Sequence, residues 1–218
     1  QLAFGKAFPK SPETYMTDQA LLDIRKAFET QQIQIPVMGC YVSASDCDDD
    51  VRNAAKKKFC DALRASVILG AGCVGTETTN FEKAGGDRKA AMERLIDSVK
   101  RMAEAAEKQG VNIGIEPVYD HVMHNVDETL EVLEKAGSAK VKIIWDAVNV
   151  LSLETAHDQP GFFRMCHEAF KDRLIAMHLK DFAFDEKGEK PSRPLFEGLL
   201  DVPALLTLVK EHETLPIL

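Results

Sequence analysis

The sequence predicts an α/β fold of the (β/α)8 (TIM) barrel type, with its terminal strands incomplete. Three observations predict it. Apolar runs of strand length alternate with helical periods at roughly 30- to 40-residue intervals. The strand runs are apolar along their whole length, as in parallel strands covered by helices. No Pro/Gly-rich linker or shift in composition divides the 218 residues, so residues 1–218 read as one domain. A doubly wound open sheet fits the same alternation. Six clear strands and a doubtful seventh, in a chain somewhat below the roughly 250 residues of a complete barrel, favour the barrel.

The elements follow in order. Thr17 is an N-cap for a helix to about Gln32, with Leu21, Leu22, Ile24 and Phe28 on one side. Pro36–Ser43 reads as a buried strand. A helix from Asp49 or Asp50 ends at Leu69, with Gly70 as the left-handed residue past its end. Gly72–Thr78 is a strand. From Asp87 to Gln109 apolar residues recur at three and four, and Gly110 closes that helix. Val111–Pro117 is a strand, Val126–Ala136 a helix, Val141–Val148 a strand and Gln159–Asp172 a helix. Arg173–Lys180 is a strand, Val202–His212 a helix, and Thr214–Leu218 opens a last strand. Leu2–Phe8 reads as the tail of an earlier one. The chain starts at Gln1 without Met and stops within the apolar run Leu215–Leu218, the pattern expected of a piece of a longer domain.

Lys and Arg number 27 against 35 Asp and Glu, a formal charge of −8, which argues against a nucleic-acid backbone as partner. The neighbouring acidic (Asp46, Asp48, Asp49, Asp50) and basic (Lys56, Lys57, Lys58) runs nearly cancel and read as a solvated helix end. Five cysteines without a CxxC pair, and no apolar run long enough to span a bilayer, predict a cytoplasmic protein with reduced thiols and no membrane partner.

Gly70-Ala71-Gly72-Cys73-Val74-Gly75 spells a dinucleotide fingerprint, but that motif needs a strand before it and a helix opening inside it. Here a helix precedes, and no helix follows before about Asp87. A helix stop followed by a small-residue strand explains the glycines better.

Three successive strands end in a polar residue after a buried apolar run: Glu116 in IGIEP, Asp146 in IIWDAVN and His178 in IAMHLKD. Singly, a strand-end Asp is usually a cap, a Glu before Pro a loop residue, and a His on an apolar strand a satisfied core residue. The coincidence on three consecutive strand–helix units, 30 and 32 residues apart, carries the metal reading. In a parallel barrel these ends share one rim, where active sites are built. Two carboxylates and one imidazole suit Mn²⁺ or Mg²⁺, with Co²⁺ or Zn²⁺ also compatible. Glu77, at a strand end on the same rim, is a candidate for substrate or metal. Lys180 and Arg193 are candidate substrate contacts, Arg193 toward an anion. Asp181 is expected to hold its loop or orient His178, and Asn149 to fix a loop beside the substrate. Trp145, opposite in parity to Asp146, is expected to pack against helices.

IGIEPVYDHVMHN (113–125), IIWDAVNVL (143–151), IAMHLKDF (175–182) and the Gly-Leu-Leu-Asp turn at 198–201 together resemble the xylose isomerase-like barrels, in particular their sugar-phosphate isomerase/epimerase group. The resemblance runs from about Pro36 to the end of the chain. It implies a divalent metal held by Glu, Asp, His and a second Glu, with Glu116, Asp146 and His178 as the first three. The fourth ligand is expected beyond Leu218. It further implies a sugar or sugar-phosphate isomerase or epimerase: the ion polarises a carbonyl, Glu116 removes the neighbouring proton, and an enediolate is stabilised. His121 matches the EPxxxH histidine that meets substrate oxygens, whereas His124 reads as a surface loop residue. A keto-inositol dehydratase-type lyase uses the same site chemistry, and a non-catalytic barrel is the alternative outside enzymes. An abasic-site endonuclease would need more rim histidines and a basic rim. The expected partner is a small sugar or polyol, and a homo-oligomer is compatible with the sequence.

Overall fold

The computed structural model describes residues 1–8 and 12–218. Six parallel strands lie in sequence order: β1 (Leu2–Ala3), β2 (Val37–Gly39), β3 (Cys73–Glu77), β4 (Asn112–Glu116), β5 (Val141–Asp146) and β6 (Leu174–His178). The end of the chain continues the series: the Met177 N–H donates to the Pro216 carbonyl and the Leu218 N–H to the Met177 carbonyl, both at 2.9 Å. The main helices between strands are α2 (Asp18–Thr30), α3 (Asp49–Leu69), α4 (Arg88–Gln109), α5 (Val126–Ala136) and α7 (Gln159–Phe170), with α8 (Val202–Val209) before the last segment. Short helices α1 (Phe4–Ala7) and α6 (Ala147–Val150) follow β1 and β5 directly.

Capping explains the helix boundaries. The Thr17 hydroxyl accepts from the Ala20 N–H, and the carboxylates of Asp48 and Asp87 accept from the first-turn amides of α3 and α4. Gly70 and Gly110 end those helices at φ of 70° and 73°, a conformation that favours glycine. The glycines at 70–75 are thus a helix stop and a strand, with the next long helix opening only at Arg88.

The large apolar cluster lies between the strands and the helices. Trp145 is fully buried there, its ring 6.3 Å from Phe163 of α7 in an edge-on contact, so it does pack outward against helices. The sheet's other face curls on itself around a small cluster of Val37, Cys73, Ile144 and Ala176. Ile144 occupies space that side chains at Gly75 and Gly114 would need: an added Cβ at Gly75 would stand 2.7 Å from Ile144 Cδ1 and 2.7 Å from Val37 Cγ1. Contacts between β3 and β5 across β4 are what a barrel wall produces and a flat sheet does not.

Several boundaries differ from expectation. Strand β2 keeps only three of the residues 36–43. Strand β5 stops at Asp146 rather than Val148, because the Asp146 carboxylate accepts the Val148 and Asn149 N–H groups and turns the chain into α6. The helix expected to reach His212 ends at Val209. An antiparallel hairpin, β7 (Asp181–Phe182) with β8 (Ser192–Arg193), leaves the rim after β6.

Two outcomes follow from this packing. Gly114→Ala places a methyl 2.6 Å from Ile144 Cγ1; a cost of about 1–3 kcal/mol is expected in urea unfolding, shrinking in an Ile144→Ala background. Burial pushes the Cys73 and Cys166 thiols up to about 12, against an ordinary 9.0. Folded protein therefore keeps protons that the unfolded chain releases, so this stabilisation is full below pH 9 and is lost as pH rises toward 12. Each thiol contributes at most about 1.4 kcal/mol per pH unit, and Cys166→Ala is expected to flatten the alkaline decline of the urea midpoint.

Candidate metal centre

Four adjacent strands deliver polar side chains to the C-terminal rim. Glu77 pairs in register with Glu116, and Asp146 with His178. Glu116 is 3% and Asp146 2% exposed, and His178 is largely buried. One donor atom from each of Glu116, Asp146 and His178 lies within 4.8 Å of the others. His178 Nδ1 is 3.2 Å from Glu116 Oε2 and 4.0 Å from Asp146 Oδ2.

The remaining carboxylate oxygens are held by neighbours. The Asn149 side-chain amide donates to Glu116 Oε1 at 2.6 Å, and Lys180 Nζ donates to Asn149 Oδ1 at 2.6 Å. Lys180 also sits 2.9 Å from Asp146 Oδ2. These groups line an open depression of about 410 Å³. Tyr41 and Gln1 line it as well: the Gln1 amide donates to the Tyr41 hydroxyl, and Gln1 Oε1 lies 2.8 Å from His178 Nε2.

The electrostatics are those of crowded acids with too little positive charge. Burial raises the Asp146 pKa, Lys180 works against it, and the Glu116 charge adds to the rise. Glu77 is raised by burial and then by Glu116. For His178, burial pulls downward, but the hydrogen bond to Glu116 and the Glu116 and Asp146 charges outweigh it, leaving the imidazole raised. Two buried carboxylates share one directly paired ammonium, and the other neighbours of Glu116 are a carboxamide and an imidazole. Hard oxygen donors with one nitrogen and unbalanced negative charge fit a divalent cation.

The depression thus gathers Glu116, Asp146, His178, Glu77, Asn149 and Lys180. His121 lies in an adjoining depression of about 280 Å³ that shares Tyr41 and Glu77. Arg193 is exposed on β8 and is not part of either lining. His124 is bound to Glu128 at 2.6 Å and to Arg88 at 3.0 Å, a loop-fixing arrangement. The Asp181 carboxylate accepts N–H groups of Phe182, Gly198 and Leu200 at 2.8–3.0 Å and so ties down the loop before α8. Tyr41 and Gln1 carry no sequence signal: Tyr41 is an ordinary half-buried residue after a strand, and Gln1 an exposed one before a strand. An offset reading of strand ends could have found Tyr41, two residues past β2 on the same rim.

Fold and site together define a curled parallel α/β barrel wall with a cation-fitting rim. Over residues 1–215 the sequence matches the xylose isomerase-like TIM barrel family, and the chain belongs to that family. No curated protein sequence matches it. Among solved structures, a D-tagatose 3-epimerase-like protein is 15% identical at a TM-score of 0.76, covering 93% of this chain and 76% of its own. An IOLI protein with a binding zinc atom is 16% identical at 0.76, over 100% and 77%. A D-psicose 3-epimerase with D-tagatose from Clostridium cellulolyticum H10 is 18% identical at 0.72, over 99% and 72%. At such identities the likeness is one of fold.

Asp181 generates the testable outcome here. Burial acts to raise its pKa, but the backbone donors of Leu200, Phe182 and Gly198 outweigh it and leave the carboxyl below its ordinary 3.8. Its stabilisation is full above that ordinary value and is lost as pH falls through the lower folded one. Asp181→Ala is expected to cost about 2–4 kcal/mol near neutral pH, with the gap to wild type narrowing below about pH 4, read from urea unfolding at both pH values.

Proposed function

We propose that this protein is a divalent-cation-dependent sugar or sugar-phosphate isomerase or epimerase. The observation that carries the reading is the convergence of Glu116, Asp146 and His178 from three successive strand ends. Family membership and the epimerases among the structural neighbours support it.

Glu116, Asp146 and His178 would hold the ion, Mn²⁺ or Mg²⁺ by donor type, with Co²⁺ and Zn²⁺ as compatible alternatives. The bound cation supplies Lewis-acid polarisation of a carbonyl and its neighbouring hydroxyl. Glu116 would remove the proton on the carbon beside the carbonyl; isomerisation returns it to the neighbouring carbon on the same face, and epimerisation takes a proton on the opposite face from a second acid/base residue, the role of the second Glu of the family. Asn149 fixes the Glu116 carboxylate through Oε1, which aims the other oxygen, Oε2, into the depression. Glu77 and Tyr41 line the same space and contact substrate oxygens, and His121 extends that surface through the adjoining depression. Lys180 balances the charge of Asp146 and keeps Asn149 oriented. The partner is a small polyol. No helix among the described residues is long and apolar enough to cross a membrane. The five free thiols support a cytoplasmic setting.

The test has two readouts. Mn²⁺ affinity by calorimetry is expected to fall at least about tenfold in Glu116→Gln and Asp146→Asn. Solvent-deuterium exchange at the substrate α-carbon, followed by NMR over ketoses, keto-inositols and their phosphates, is expected to fall about 10²–10⁴-fold in Glu116→Gln. Wild-type exchange in that variant overturns Glu116 as the base. Loss of water from a keto-inositol would instead identify the lyase, and no cation binding at all would leave a non-catalytic barrel.

A further inference from the structure

The one-turn helix α6 carries Asn149, the residue that grips Glu116, yet a single turn has little stability of its own. Its N-terminus is held by Asp146, whose carboxylate accepts the Val148 and Asn149 N–H groups. Of its C-terminal carbonyls, that of Asn149 accepts the Tyr119 N–H, while those of Val148 and Leu151 need another donor. Lys190, forty residues further along, fills that need. Its ammonium donates to the Val148 carbonyl at 2.6 Å and to the Leu151 carbonyl.

Lys190 also packs against the segment to which α6 is tied. Its Nζ stands 4.1 Å from the centre of the Tyr119 ring, a cation–π contact. The Tyr119 N–H donates to the Asn149 carbonyl at 2.8 Å, so the ring belongs to a segment already tied to α6. The Tyr119 hydroxyl donates to Glu189 Oε2 at 3.1 Å, and the Asp185 and Glu189 backbones bond each other to close the hairpin turn. The hairpin root is fixed by Asp181, buried and holding three backbone amides. A surface hairpin would need none of this to reach the end of a helix that carries a site residue.

We propose that Lys190, delivered by the β7–β8 hairpin, is a positioning residue for the rim: by clamping the C-terminal end of α6 it keeps the Asn149 carboxamide on Glu116. The consequence for cation affinity rests on the site reading proposed above. The clamp on Asn149 does not.

The experiment separates the two. In ¹⁵N-labelled protein without added metal, Lys190→Met is expected to speed water exchange of the Asn149 side-chain amide and of the 148–151 backbone amides by about tenfold or more, and Lys190→Arg, which keeps charge and two donors, to restore protection. Mn²⁺ affinity should fall about three- to tenfold in Lys190→Met, recover in Lys190→Arg, and fall no further in Lys190→Met/Asn149→Ala than in Asn149→Ala alone. If Lys190→Met does not fold, Lys190→Gln takes its place in both arms. Unchanged exchange at Asn149, with only a lower melting temperature, would overturn the proposal and leave Lys190 as a hairpin anchor. Faster exchange with unchanged affinity would overturn its link to Glu116. Wild-type protein that binds no Mn²⁺ would sink the cation site, while the exchange arm still decides the clamp.

Discussion

Two buried carboxylates within reach of one ion are the constraint around which the rim is arranged. Glu116 and Asp146 are almost fully removed from water and lie on neighbouring strands. At an effective dielectric near 20, two unit charges about 5 Å apart repel by roughly 3 kcal/mol, before any cost of desolvation. Three neighbours answer that repulsion. Lys180 places its ammonium on Asp146, Asn149 places an amide on Glu116, and His178 turns Nδ1 toward both. Burial and then the same negative field raise Glu77, while at His178 burial pulls down and the acids outweigh it. These groups balance the two charges only in part, which is the condition a divalent cation fits.

The barrel wall makes such crowding achievable. Strands β3 to β6 run in parallel register, so their C-terminal ends fall on one rim without any loop having to reach across. Close curvature depends on Ile144 filling the space left by Gly75 and Gly114, which draws β3, β4 and β5 around one side chain. That constraint is one of shape and small residues and not of sequence identity. It agrees with a TM-score of 0.76 to proteins only 15–16% identical.

What could be read from sequence divides along the range of the forces involved. Helices α3 and α4 were legible to within a residue because their boundaries are set locally, by Asp48, Asp87, Gly70 and Gly110. The three strand-end residues were legible because an apolar run ending in a charge repeats with the period of the fold. The hairpin β7–β8 was not: its strands are two residues each and held by Asp181 contacts 17 and 19 positions away. Asn149 reads from sequence as a loop-fixing residue, whereas it lies on α6, and its grip on Glu116 spans 33 residues of sequence and leaves no local trace. Tyr41 and Gln1 reach the depression only because the wall curls. Arg193, a candidate by its charge, lies exposed on β8 and lines neither depression.

Asp146 shows why the plain and the functional interpretation of a strand-end acid are not alternatives. Its Oδ1 accepts the Val148 and Asn149 amides and is an ordinary helix cap. Its Oδ2 faces Lys180 and His178 in the depression. Glu116 divides its oxygens in the same way, Oε1 to the Asn149 amide and Oε2 toward His178. One oxygen of each carboxylate is spent on fixing geometry and the other is displayed. A carboxylate anchored through one oxygen loses rotational freedom before any ligand arrives, so less ordering remains to be done on binding. The cap that ends β5 early is therefore also what aims the acid. The chain turns at Asp146 because that side chain folds back on α6, and the same turn brings Asn149 to Glu116. Local structure and site geometry are set here by a single side chain.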